Sequence, residues 1–337
     1  MKFKKIAALS TAVIMSASML VGCGNNKSKE NTDKSFKIGM VADIGGINDE
    51  SFNQSAWEGL QKAEKDFGIE VKVIESKQAS EYLQNMESLL DEDVDMVIGV
   101  GYTMKEDIEK QAKNYPDKQF VLIDETYDSI PENVTPILFR ENEAAYLTGL
   151  VAGKMTENNN VGFIGGIQTP VISRFEYGYK AGVKEANKDC NVNVQYAGTF
   201  SDAAKGKSIA NQMYGNGSDI ILAAAGGTGL GSIESAKEQN KYAIGVDRDQ
   251  SDLAPKNVLT SALKKVNVGV YDTVKEFIEG KLKGGQEKVY GLKEDGVGIP
   301  ETTKNLVPQE IIDYVNSMIE KIKNDEIKVP VTEEEYK

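Results

Sequence analysis

The sequence predicts an α/β protein of two similar-sized lobes, each a parallel sheet covered by helices on both faces. Three observations predict it. Short β-branched runs alternate with longer segments of helical period from Phe36 onward. The runs are continuously apolar, as strands buried on both faces are, and helical crossovers separate them. They fall into two sets of about five βα units, in a chain about twice a typical domain length.

The N-terminal residues read as an address. Lys2, Lys4 and Lys5 form a positive region before the apolar stretch Ile6 to Leu20, which is too short and too weakly apolar to span a bilayer comfortably. Residues 1–22 are therefore expected to be an export signal. Leu20-Val21-Gly22-Cys23 resembles a bacterial lipobox, which implies lipidation of Cys23, palmitate included, and a new N terminus there. Residues 23–35 are polar, carry no core-forming side chain, and are expected to be a lipidated start and flexible tether. Losing the signal's three lysines takes the formal charge from −13 to −16.

In the first lobe the expected strands are Lys37–Asp43, Glu70–Glu75, Met96–Gly101, Gln119–Asp124 and Thr135–Phe139, with helices at Ser51–Phe67, Ser80–Leu90 and Met104–Asn114. In the second they are Val161–Gly165, Asn193–Thr199, Asp219–Ala225, Tyr242–Asp247 and Val258–Ala262. Its helices are Glu143–Met155, Phe175–Ala186, Ala203–Tyr214 and Gly231–Glu238, followed by Val268–Glu279 and Pro308–Lys323. The boundaries expected are 36–140 for the N-terminal lobe, with a return segment at about 266–290, and 141–265 for the C-terminal lobe, with a return at about 300–337.

Composition removes whole classes of chemistry. There is no histidine, so no histidine triad, histidine base or histidine-ligated zinc. Two cysteines are too few for a disulfide scaffold or a four-cysteine metal site, and Cys190 reads as an inert thiol. The acidic balance argues against a nucleic-acid partner. No cofactor or metal is expected, and catalysis is disfavoured.

Three strands finish on an aspartate: Asp43, Asp124 and Asp247. Ligands of open parallel sheets bind beyond the carboxyl ends of the strands, where a carboxylate is a strong hydrogen-bond acceptor. An aspartate there can equally cap the next turn. After the first strand comes Asp43-Ile44-Gly45-Gly46-Ile47-Asn48-Asp49-Glu50-Ser51-Phe52-Asn53-Gln54, in which Ser51 and Gln54 have the spacing of a capping box. That leaves Phe52 and Asn53 in the first helical turn, a ring for stacking beside an amide able to donate and accept. Phe175 is expected to start a helix of the second lobe in the same way; each ring alone is more often a core residue than a ligand contact.

Two motifs fail on spacing. Ser201-Asp202-Ala203-Ala204-Lys205-Gly206-Lys207-Ser208 nearly matches a phosphate loop, but Ser201 replaces the first glycine. Gly226-Gly227-Thr228-Gly229-Leu230-Gly231 invites a dinucleotide fingerprint, but Ser232 stands where its third glycine belongs. Glycines at a strand end still expose backbone N–H groups to a ligand.

These segments carry a likeness. The lipobox and Asp43–Gln54 are followed by Phe139-Arg140-Glu141-Asn142-Glu143-Ala144-Ala145-Tyr146-Leu147-Thr148-Gly149, then Ala225–Gly229, Gly245-Val246-Asp247-Arg248-Asp249-Gln250 and Thr260-Ser261-Ala262-Leu263-Lys264-Lys265. In this order the chain resembles the basic membrane protein family of lipoproteins, including receptors for purine nucleosides. The resemblance implies a type I periplasmic-binding-protein fold with a hinge, and a substrate-binding protein of an ABC importer that delivers ligand to permease subunits. It implies a monomer held by its lipid on the outer face of the cell membrane. Phe52 and Phe175 would stack on a base, Asn53 and Asp124 would read its edge, and Asp43 would line the pocket. Asp247, the backbone at Gly227 and Lys264 would hold the ribose; Lys265 is the alternative lysine. The competing expectations are a receptor for a sugar or other small polar solute and a nucleoside-cleaving enzyme.

Overall fold

Two six-stranded sheets share one strand order. The computed structural model describes residues 36–337; the expected signal, Cys23 and the tether lie outside the described residues. The first sheet is built from β1 (Lys37–Ala42), α1 (Phe52–Phe67), β2 (Glu70–Glu75), α2 (Tyr82–Asp91), β3 (Met96–Val100), α3 (Lys105–Asn114), β4 (Gln119–Ile123) and β5 (Val134–Phe139). Then α4 (Glu141–Met155) leads to β6 (Asn160–Gly165), α5 (Pro170–Ala186), β7 (Asn191–Tyr196), α6 (Ala203–Gly215), β8 (Ile220–Ala224), α7 (Gly227–Gln239), β9 (Tyr242–Asp247) and β10 (Val258–Lys264). The chain closes with α8 (Val266–Ile278), β11 (Lys288–Tyr290), β12 (Val297–Gly298), α9 (Gln309–Lys323) and α10 (Glu333–Tyr336).

The sheets run β11-β5-β4-β3-β1-β2 and β12-β10-β9-β8-β6-β7. All neighbours are parallel except β12, which is antiparallel to β10. In each sheet the order reverses beside the first strand, between β1 and β3 and between β6 and β8. A reversal of this kind opens a crevice at the carboxyl ends, because adjacent loops turn to opposite faces.

The chain passes between the sheets three times: through α4 after β5, through α8 after β10, and from β11 to β12. The central strands β3, β4 and β8 are almost wholly buried, while the edge strands β2 and β7 are partly exposed. Each buried apolar side chain there contributes about 1.5–3 kcal/mol. Helix α4 is covered nearly all round and crosses α5 on glycines. A Cβ at Gly149 would stand 2.3 Å from the Tyr179 carbonyl oxygen, and one at Gly182 would stand 2.0 Å from that of Tyr146. Alanine at either position would force the helices apart.

The structure shifts some expected boundaries. Helix α5 starts at Pro170, not Phe175. Thr169 caps it by accepting the Ile172 N–H, 3.3 Å away, and proline suits the first helical position. Phe175 is therefore in the second turn. Helix α7 starts at Gly227, where the glycine-rich run read as loop. Strand β10 runs on to Lys264. Strands β11 and β12, three and two residues long, are too short to leave a pattern.

Candidate functional site

The carboxyl ends of both sheets face one cavity of ≈ 660 Å³. From the first sheet it is lined by Asp43 after β1, Gly101 and Tyr102 after β3, and Asp124 after β4. Asp49, Phe52 and Asn53 join them from the start of α1. The second sheet contributes Thr169, Ile172 and Phe175 around the start of α5, Phe200, Gly226, Asp247 and Lys264. Seven of the eight residues picked from the sequence thus line one space. The eighth, Gly227, does not; its neighbour Gly226 does, in a left-handed conformation at φ 53°.

The start of α1 differs from the expected capping box. Ser51 makes no capping hydrogen bond. Asp49 takes that role, accepting the N–H groups of Ser51 (2.9 Å), Asn53 (2.9 Å) and Gln54 (3.1 Å). A carboxylate also complements the positive helix start better than a hydroxyl. Ser51 Oγ is thereby released, and it donates to Asp247 at the end of β9 in the other sheet.

Asn53 is fully engaged. Its Oδ1 accepts the Asp43 N–H at 3.1 Å, and its Nδ2 donates to Asp43 Oδ1 at 2.8 Å and to Asp49 Oδ2 at 3.0 Å. The Gly45 N–H donates to the same Asp43 Oδ1 at 2.8 Å. The amide therefore aims Asp43. Burial pushes the Asp43 carboxyl above its ordinary range, against the Gly45 and Asn53 hydrogen bonds that favour its charged form.

Asp124 and Asp247 share an unusual backbone, with φ 75° and 63°. Left-handed residues other than glycine cost on the order of 1 kcal/mol, and aspartate tolerates that region better than most. The conformation ends each strand abruptly and turns the carboxylate into the cleft. Lys264, only 1 % exposed, donates its ammonium to Asp124 Oδ2 from β10. Burial pulls its proton affinity down, but the carboxylates of Asp124, Glu141 and Asp247 hold it above that of an ordinary lysine. Asp247 is pushed up to about 6 by burial, against the pull of Lys264 and Ser51. Asp124 Oδ1 is buried and has no hydrogen-bond partner.

Three phenyl rings wall the cavity: Phe52, Phe175 and Phe200. Phe175 is only 3 % exposed, whereas Phe52 and Phe200 are half-buried. The Phe200 ring lies against bare backbone, since a Cβ at Gly166 would stand 2.2 Å from it. Phe200 was not picked from the sequence: it lies in the turn between β7 and α6, not in the first helical turn that marked Phe52. Asp49 carried a signal, as an acid just ahead of a helix. Glu141, wholly buried against Arg174 (2.7 Å) with its other oxygen unpartnered, carried none. Cys190 lies outside the cavity lining, and burial pushes its thiol up to about 11, so it stays protonated at neutral pH.

The lining offers four carboxylates, one ammonium and aromatic walls. Such a surface accepts hydrogen bonds from a neutral or cationic ligand and repels anions.

Comparison with known proteins places this geometry. Residues 36–333 match the Bmp family model, described as ABC transporter substrate-binding protein PnrA-like. The CD4+ T-cell-stimulating antigen of Listeria monocytogenes is 39% identical, over 97% of this chain and 99% of its own. The ABC transporter nucleoside-binding protein BmpA of Lactococcus lactis is 38% identical, over 88% of this chain and 91% of its own. Among solved structures, an ABC transporter solute-binding protein from Aeropyrum pernix superposes with a TM-score of 0.83 at 27% identity, covering 89% of this chain and 95% of that one.

Proposed function

The chain belongs to the PnrA-like family of ABC transporter substrate-binding proteins and has their two-lobed periplasmic-binding-protein fold, and we propose that it captures a purine nucleoside for delivery to permease subunits. In this reading it is a monomer, exported and held at the outer face of the cell membrane by a lipid on Cys23. Among the described residues no helix is long and apolar enough to cross a membrane. The name of the Lactococcus lactis relative, a nucleoside-binding protein, supports the ligand class.

The observation that carries the reading is Asp124, which lines a cavity with aromatic walls and has one buried oxygen left unpartnered. A buried acceptor left unpaired costs about 1–3 kcal/mol, which a ligand N–H would recover. A purine carries such a donor on a flat ring that fits against Phe52 and the second-lobe phenyl rings. Asp124 and Asp43 would take the base edge, with Asn53 holding Asp43 in place. Asp247, the backbone around Gly226 and Gly227, and Lys264 would take the ribose. Nucleotides would be refused, since a phosphate would meet the carboxylates. The lobes would close on a hinge formed by the three crossovers, the ligand favouring closure because it touches both.

Calorimetry on the delipidated protein tests this. Guanosine, inosine and adenosine should include at least one tight ligand, recovered intact afterwards, with the pyrimidine nucleosides weaker. Tight binding of free ribose or galactose that guanosine cannot compete would overturn it, as would release of free base from inosine.

A further inference from the structure

We propose that Arg248 is a latch holding the two lobes shut, and that it sets how fast a ligand leaves the cleft; only the second half rests on the nucleoside reading. Arg248 follows Asp247 at the end of β9 and does not line the cavity. Its guanidinium forks across to α1 and the turn before it: Nη1 meets Glu50 Oε2 at 2.6 Å and Nη2 meets Glu58 Oε1 at 2.8 Å. Gln250 adds a hydrogen bond from Nε2 to the Glu50 carbonyl at 2.8 Å.

The gripping turn is rigid. Gln250 Oε1 accepts the Val246 N–H at 3.0 Å, and the Gln250 N–H donates to Ser261 Oγ at 3.1 Å, which ties the turn to β9 and β10. The gripped segment is strained. Glu50 has φ 51°, a left-handed conformation that a glutamate seldom adopts. Its carbonyl and its carboxylate are both held from the other sheet, so separating the lobes would leave it only the bond from its N–H to Gln54 Oε1 at 3.2 Å. Planar, two-pronged recognition of two acids is specific to arginine. Ser51, Phe52 and Asn53 lie between the two glutamates on the chain, so the latch holds the segment from which Ser51 reaches Asp247. Arg248 is a positioning residue, acting through α1 without touching the ligand. The charges are partly exposed (side chains 25% for Arg248, 43% and 40% for the acids), so salt should loosen the latch.

Small-angle scattering of the ligand-free protein tests the latch directly. Wild type should expand when salt is raised to about 0.5 M, where screening reaches only a few ångströms. Arg248→Ala should already be expanded at low salt and stay insensitive to more. Arg248→Lys should fall between, since one ammonium cannot fork. Stopped-flow dissociation of guanosine, read by Trp57 beside Glu58, should quicken about five- to tenfold in Arg248→Ala, with association changed less. An Arg248→Ala protein with the wild-type radius, salt response and dissociation rate would overturn the proposal. If wild type binds no nucleoside, the scattering arm still decides the latch while the ligand reading fails.

Discussion

Lys264 donates to Asp124 across the gap between the two sheets, from positions 140 residues apart in the chain. Both side chains are almost sealed from water, at 2% and 8% exposure. The pair joins the two sheets within the cavity lining and leaves one buried Asp124 oxygen unpartnered. Around the ammonium stand two more carboxylates, Asp247 and Glu141, so the site is held by charge as much as by packing.

Lys264→Met should destabilise the ligand-free protein by about 3–5 kcal/mol, because removing one member of a buried pair strands the other. Adding Asp124→Leu should recover a large part, since an apolar pair of similar volume carries no desolvation cost. Urea unfolding of the single and double variants at neutral pH checks this. A double variant no more stable than Lys264→Met would count against it.

Phe175 and Phe200 should separate stability from binding. Phe175→Ala empties a buried site and should cost about 3–5 kcal/mol of stability. Phe200→Ala opens a half-exposed site and should cost much less, yet it should weaken nucleoside affinity about tenfold or more through lost stacking. Thermal melts and titration calorimetry on both variants measure the split. The reverse pattern would move the stacking role to Phe175.

Stability should fall as pH rises towards 6, with Asp247 contributing. Its folded-state value of about 6 lies above the ordinary 3.8. Between those values the folded protein binds more protons than the unfolded chain, so unfolding free energy decreases with rising pH there and levels off above about 6. Asp247→Asn should remove that part of the slope, and melt higher than wild type near neutral pH while losing nucleoside affinity. Asp43 and Glu141, also raised by burial, should leave a shallower slope in the variant. Melting temperatures of both proteins from about pH 4.5 to about 7.5 check it. Parallel curves would show that Asp247 is not the titrating group.

Much of this molecule was legible locally. Periodicity located the strands of both sheets apart from β11 and β12, because a strand buried on both faces must be apolar along its length. The three strand-end aspartates were visible for the same reason: a charge ends such a run. Phe52 and Asn53 stood out because a helix start brings neighbouring residues to the cleft with no help from distant chain.

What the sequence by itself determined is therefore the fold class, the family likeness and the residues at the strand ends. The tertiary structure decided which of those residues meet. Ser51 could have capped its own helix, but Asp49 accepts the N–H groups and Ser51 donates to Asp247 instead. The glycine run could have offered either residue, and the turn at Gly226 chose that one. Lys264 could only find Asp124 once the carboxyl ends of two sheets had been brought to one cavity by three crossovers. Periodicity reports the neighbours of a residue along its own element. Contacts between elements depend on where the sheets lie, and that is set by the whole core.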